Sequence, residues 1–166
     1  MPATSVLVLR SKFASYMNTG TSESPTFTLM GEGFTSLTEG KNPNEYSRHY
    51  VHEITERTDV VGYATQIDYT TDTYTNNPVI AKIAEVTDKE LTGTAAQVEI
   101  VNVNLYNDSG SSSSHAYEAF KRTYAIIPDQ KGDGTDALIY SGSFKAVGDI
   151  VVGTFNGTSF TATVSA

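Results

Sequence analysis

Residues 41–74 read KNPNEYSRHYVHEITERTDVVGYATQIDYTTDTY. The stretch opens on a turn signal at Asn42-Pro43-Asn44, passes through a charged arm and ends in a run rich in β-branched and aromatic residues. From Gln66 to Thr73 the pattern has period two, the spacing of a strand with unlike faces. Ile67, Tyr69, Thr71 and Thr73 fall on one side, and Gln66, Asp68, Thr70 and Asp72 on the other. One face is oily and the other polar and acidic. Arm and strand together predict one long hairpin, with the arm covering about residues 41–64. That is more hairpin than a lone domain needs, and it implies a structure meant for a neighbour.

Within the arm, Tyr46, Arg48, Tyr50, His52 and Ile54 alternate with Ser47, His49, Val51, Glu53 and Thr55. Neither set is apolar, so the arm is not an ordinary half-buried strand. Arg48, His52, Glu53, Glu56, Arg57 and Asp59 bring both signs of charge toward its tip, which suits a polar, register-setting contact with another subunit. A solvated loop is the plain alternative. With no apolar side to hold it down, the arm is expected to be unordered until a partner binds.

The rest of the composition narrows the class. At 166 residues the chain predicts a single domain spanning 1–166, large enough for a core of its own. Thr, Tyr and Val are prominent and favour a mainly β protein. The absence of cysteine excludes disulfides and Cys-based metal or redox sites. Nineteen acids against eleven Lys and Arg give a net charge of −8, which repels DNA and anionic lipid and argues against a nucleic-acid reader. No apolar run approaches the ~20 residues of a spanning helix. Val6-Leu7-Val8-Leu9 is too short for a secretory signal.

Taken in order, a first strand region is expected from Ser5 to Asn18 and a second from Thr26 to Met30. Gly31-Glu32-Gly33 breaks the pattern before Phe34 to Leu37. The one helix signal is Asn77 as N-cap with Pro78 at the first helical position, running to about residue 87. Val79, Ile80, Ile83, Ala84 and Val86 form its apolar face. In the strand from Ala95 to Leu105, Val98 and Ile100 share one parity while Val101, Val103 and Leu105 share the other, so a bulge is expected near Ile100-Val101. The run NDSGSSSSH, Asn107 to His115, carries no apolar anchor and is expected to be mobile. A strand from Tyr117 to Ile127 should end at Pro128. An acidic loop, Asp129 to Asp136, precedes a strand from Leu138 to Val147. The last pair, Ile150 to Phe155 and Ser159 to Val164, should be antiparallel about Asn156-Gly157.

Tests for chemistry are negative. No G-x-S-x-G marks a nucleophile elbow. His49 and His52 are three apart, on opposite faces of a strand, so they do not share a metal. The loop from Asp129 has acids at its first and fifth positions and Gly at its sixth, but Lys131 and Tyr140 stand where a calcium loop needs an acidic ligand and a bidentate Glu. Asp68 and Asp72 lie ~13 Å apart along a strand with no pocket partner. No catalytic, cofactor or metal residues are assigned, and an enzyme is not expected.

A succession of segments does resemble a known family. Asn42-Pro43, the arm ending in Thr58-Asp59-Val60-Val61-Gly62-Tyr63-Ala64, Tyr69 and Tyr74, and Asn77-Pro78-Val79 come first. Lys121-Arg122, Tyr124-Ala125-Ile126-Ile127-Pro128 and Tyr140-Ser141-Gly142-Ser143-Phe144-Lys145 follow. In this order, over roughly Lys12 to Phe155, they resemble the major tail tube protein of tailed bacteriophages infecting Gram-positive hosts. The resemblance implies a β-sandwich or half-barrel with a flanking helix, assembled as six-fold rings that stack into a virion tail tube for genome passage. It implies partners at each tube end (tail-terminator and distal tail proteins), a tape measure protein inside, and assembly in the host cytoplasm. Gln66, Asp68, Thr70 and Asp72 would face the lumen, and the arm and the loop Asp129 to Asp136 would make contacts between subunits. An inner tube of a contractile tail, of a phage-tail-like bacteriocin or of a secretion apparatus is the alternative on the same fold. A soluble β-sandwich binding module is the alternative of another class.

Overall fold

The computed structural model describes residues 2–132 and 135–163. Its strands are β1 (Phe13–Asn18), β2 (Phe27–Leu29), β3 (Phe34–Gly40), β4 (Pro43–Arg48), β5 (Arg57–Tyr63), β6 (Gln66–Asp72), β7 (Gln97–Asp108), β8 (Tyr117–Gly132), β9 (Ile139–Ala146), β10 (Val151–Phe155) and β11 (Phe160–Ala162). The helix α1 is Pro78–Asp88, and short 3-10 turns lie at Arg10–Lys12 and Gly93–Ala96. The end of the last expected strand, Val164, and Asp133 and Gly134 of the acidic loop lie outside the described residues.

The main sheet is antiparallel, in the order β2-β1-β7-β8-β9-β6-β3, with β10 joined to β8 and β11 to β10. It curls into a half-barrel with one helix. Two contacts show the curl: Asn102 of β7 donates to Glu39 of β3 at 3.2 Å, and Arg10 Nη2 reaches the Leu37 carbonyl at 3.0 Å. Yet β8, β9 and β6 separate β7 from β3 along the sheet. Strand β8 is long because it serves two partners in succession on one side, β10 along Tyr117–Lys121 and β9 from Tyr124 onward.

Helix α1 begins where Asn77 Oδ1 accepts from the amides of Val79 and Ile80, at 3.1 and 3.4 Å, satisfying two groups that otherwise lack partners at a helix start. Its buried residues, Val79, Ile80, Ile83 and Val86, are four of the five on the apolar face read from the sequence, and Ala84 is half-buried. Val79, Ile83 and Val86 share one core with Met17, Ile67, Tyr69, Ile100 and Phe144 of the sheet. At ~1.5–3 kcal/mol for each fully buried aliphatic side chain, the four buried residues dominate the helix's docking. Its other end is fastened by Asp88, which accepts from Lys131 at 2.8 Å and from Tyr140 at 3.1 Å. Lys131 first, and Tyr140 after it, hold the Asp88 carboxyl below its ordinary pKa.

The change of phase in β7 has a different cause from the expected bulge. The register with β8 is continuous from Gln97 to Asn104. Val98 and Ile100 face the helix-side core, while Val101 and Val103 face a second core with Ala119 and Phe155. Both faces are covered, so both parities are apolar. In the second core the Phe155 ring lies 4.6 Å from Tyr16 and 6.0 Å, edge-on, from Phe27.

Three other expectations change. Strand β8 does not end at Pro128 but runs through it, with a register shift against β9 between Pro128 and Gln130. Its pairing with β7 stops at Ala125, so the missing proline N–H falls on an open side where nothing waits for it. Among the described residues, none before Arg10 joins a strand, and the first strand starts at Phe13. The serine run is a tight hydrogen-bonded hairpin: Ser111 and Ser114 exchange backbone bonds at 3.0 and 3.1 Å. Asp108 organises it, accepting from the Gly110 and Ala116 amides and from His115 at 2.6–2.9 Å.

Candidate assembly surfaces

The long hairpin is β4 with β5, and it does not include β6. Strand β6 lies inside the main sheet between β3 and β9. The single hairpin expected over 41–74 is therefore two objects, an arm and a sheet strand, separated at Ala64-Thr65. Asn42 closes the base of the arm: its carbonyl accepts from the Ala64 amide and its side-chain amide donates to the Ala64 carbonyl, each at 3.1 Å. Asn42 takes a positive φ of 43°, a turn conformation that asparagine tolerates.

Beyond that base, β4 and β5 pack appreciably on no other strand or helix. An isolated two-stranded hairpin is marginal in water. This one is held by its own side chains. The Arg48 guanidinium lies over the Tyr46 and Tyr50 rings at 5.2 and 5.6 Å, donates to the Tyr50 hydroxyl at 2.7 Å and pairs with Asp59 at 2.5 Å. Asp59 first, then Tyr50, raise the Arg48 pKa above its ordinary value. Nearer the tip, Arg57 pairs with Glu53 at 2.5 Å and lies over Tyr50 at 5.8 Å. His52 stacks on Tyr50 and stands 3.6 Å from Glu53. His49 meets the Glu53 carbonyl. Glu56 is exposed beside them. The structure thus brings Arg48, His52, Glu53, Arg57 and Asp59 together, spending their charges inside the arm.

What the arm offers outward is apolar. Val51 and Ile54 at the tip are fully exposed, and Tyr46, Val60, Val61 and Tyr63 are more than half exposed. Sequence reasoning centred on the charges and passed over this set, because alternation with charged neighbours hid it. The arm's signal was the presence of large aliphatics where a solvated turn has no use for them.

On β6, Ile67, Tyr69 and Thr71 are buried, and Gln66, Asp68, Thr70 and Asp72 share the opposite face. The register continues this face onto both neighbours. Gly40, Gln66 and Lys145 form one row, Thr38, Asp68 and Ser143 the next, and Ser36, Thr70 and Ser141 a third. Asp68 accepts from Gln66 Nε2 and Ser143 Oγ, both at 2.8 Å. The surface is rich in hydroxyls, from Ser36, Thr38, Thr70, Ser141 and Ser143. Two acids outnumber one lysine, Lys145, so its acidity is milder than the four β6 residues alone predict. The serines of β9 and Lys145 were legible only once the register was known.

Beneath this face the Tyr69 hydroxyl is buried without a partner. Burial first, and Asp129 after it, push its pKa up to about 12. Among the described residues there is no group of three or more His, Cys, Asp or Glu placed to hold a metal. No described helix is long and apolar enough to cross a membrane.

No protein-family model and no curated protein matches the sequence. Among solved structures, the fold is similar to that of a chain in the cryo-electron-microscopy structure of the anti-feeding prophage baseplate, determined with six-fold symmetry imposed. The TM-score is 0.51 at 12% identity, over 90% of this chain and 96% of the other. The chain is thus a mainly β, curled antiparallel half-barrel with one helix, similar in fold to a chain of that baseplate.

Proposed function

We propose that this chain is a structural subunit of a phage-tail-like particle, of the tail tube kind, which self-assembles in rings of six that stack into a conduit for the genome. The observation that carries the reading is the arm, Pro43 to Tyr63. It pairs within itself, packs appreciably on no other strand or helix and exposes aliphatic and aromatic side chains that a lone molecule gains nothing by displaying.

The sheet's free borders fit the same use. Strand β3 pairs with β6 on one side only. An open border is a liability in a monomer, but copies in a ring can complete one another's sheets and leave no edge. With the β6 face turned inward, DNA would meet mainly hydroxyls and carboxylates, with Lys145 the one cation named on that face. Few counterions would be released, so the genome would pass without being held. The tape measure protein would share this bore before ejection, and terminator and distal proteins would close the ends. The particle would be a virion tail of a phage of a Gram-positive host, made in the host cytoplasm. No catalytic role is proposed.

One observation favours a second reading. The structural neighbour belongs to a baseplate, so the chain could serve as a single ring in the tail base or inner tube of a contractile, phage-tail-like machine. Negative-stain microscopy of the purified, concentrated protein separates the cases. Hollow rods of variable length support the tube. Discrete rings that do not stack support the baseplate reading. A persistent monomer overturns both.

A further inference from the structure

Residues Val6 to Leu9 read as a strand and have no strand to pair with. Two β-branched and two leucine residues in succession are a strong β signal. At Leu9 the backbone is extended, with φ −75° and ψ 149°. Val6, Leu7, Val8 and Leu9 are nevertheless 82, 85, 49 and 61% exposed.

The half-barrel has a gap of matching kind. Between the start of β1 and the free border of β3 lies a groove of about 660 Å³, lined by Phe13, Leu29, Met30, Phe34 and Leu37 among others. Strand β2 pairs with β1 only along Tyr16–Asn18, so the first residues of β1 are not flanked by it. Strand β3, seven residues from Phe34 to Gly40, has no strand on its groove side. Arg10 spans the mouth, its Nη1 donating to the Phe13 carbonyl at 2.7 Å and its Nη2 to the Leu37 carbonyl at 3.0 Å. This exposed side chain stands where the N–H of an added strand would be.

We propose that residues 5–9 of one copy add as a strand to β3 of a second copy, filling this groove and completing the partner's half-barrel. The inference deepens the self-assembly reading and rests on it, in so far as copies must meet. Several observations favour a second copy as the occupant. The donor is apolar and exposed, the acceptor offers an unpaired border with apolar lining, and both occur in every molecule, so head-to-tail donation propagates. The chain's own segment is a poorer occupant. Arg10 anchors the chain to the middle of β3, so residues 5–9 would have to double back past their own anchor.

The chain has no cysteine, which makes the test clean. Single variants Leu7→Cys and Val8→Cys are mixed pairwise with Thr35→Cys, Ser36→Cys and Thr38→Cys, all exposed positions, at a concentration where the native protein assembles. The mixtures are then oxidised. A covalent dimer of two differently labelled chains in at least one pairing is expected. As a second measurement, the double variant Leu7→Asp with Leu9→Asp should keep the native melting curve and self-associate at least about 100-fold more weakly, the loss expected when large apolar side chains can no longer be buried. A disulfide that forms only within one chain of a Leu7→Cys, Ser36→Cys double variant overturns the proposal in favour of a strand folded onto its own body. Assemblies that form normally with no cross-link in any pairing overturn it while leaving the proposed function standing. Absence of assembly and cross-link together overturns both.

Discussion

Replacing both tip aliphatics of the arm, Val51→Ser with Ile54→Ser, separates folding from assembly. In the monomer these side chains are 108% and 99% exposed, so their removal takes nothing from a core and the melting temperature should not move. If a neighbouring subunit buries them, each is worth ~1.5–3 kcal/mol, and the pair ~3–6 kcal/mol. At 1.4 kcal/mol per factor of ten, that is a drop of roughly two to four orders of magnitude in the association constant. Sedimentation velocity over a concentration series reads the association, and circular dichroism melting reads the fold. An unchanged association constant would refute the arm as a contact. A melting temperature lowered by several degrees would show that the tip packs on its own body. The charged residues make a poorer probe: Arg48 lies between Tyr46 and Tyr50 and pairs with Asp59, so reversing its charge disturbs the hairpin before any neighbour is involved.

Gly33→Ala should destabilise the fold by ~1–3 kcal/mol in chemical denaturation, because Gly33 has a φ of 91° and a Cβ there would stand 2.8 Å from the Asp72 carbonyl. The serine hairpin should open in acid: the Ala116 amide first, then His115 and the Gly110 amide, hold the Asp108 pKa down at about 2. The contribution of that lowered carboxyl is complete above its ordinary pKa near 3.8 and is lost as pH falls toward 2. Amide exchange at Gly110 and Ala116 should accelerate across this window, and an Asp108→Asn variant should show no such step. In alkali the sign is opposite. Burial pushes the pKa values of Tyr69 and Tyr124 up to about 12, so stability present below pH 10 should decline between 10 and about 12. Each group adds a slope of at most ~1.4 kcal/mol per pH unit. Ultraviolet titration of Tyr69→Phe should show one fewer late-ionising phenol, and tyrosines that all ionise near pH 10 in the folded protein would contradict the burial.

The sequence showed most clearly those elements whose signal is local. Asn77-Pro78 marks the helix start through the cap's own hydrogen bonds, and the alternation from Gln66 to Asp72 assigns each side chain to its face. Non-local facts were out of reach. Strand β6 follows the arm in the chain but pairs with β3 and β9, and no residue between Tyr63 and Gln66 announces the change of sheet. The double parity of β7 reads equally as a bulge or as burial on two sides until the second core around Phe155 is known. The serines at 109–114 look structureless by composition, whereas their order comes from one carboxylate, Asp108, that gathers backbone amides around it. For the candidate surfaces, the β6 residues were legible by period. Ser141, Ser143 and Lys145, which complete that face, become visible only through register.

The most direct measurement is a cryo-electron-microscopy reconstruction of the assembled particle. The account predicts a closed ring or tube with Gln66, Asp68, Thr70 and Ser143 facing the bore and Val51 and Ile54 buried against a neighbouring subunit. A particle whose β6 face points to the outside, or whose arm tips remain in solvent, would contradict it.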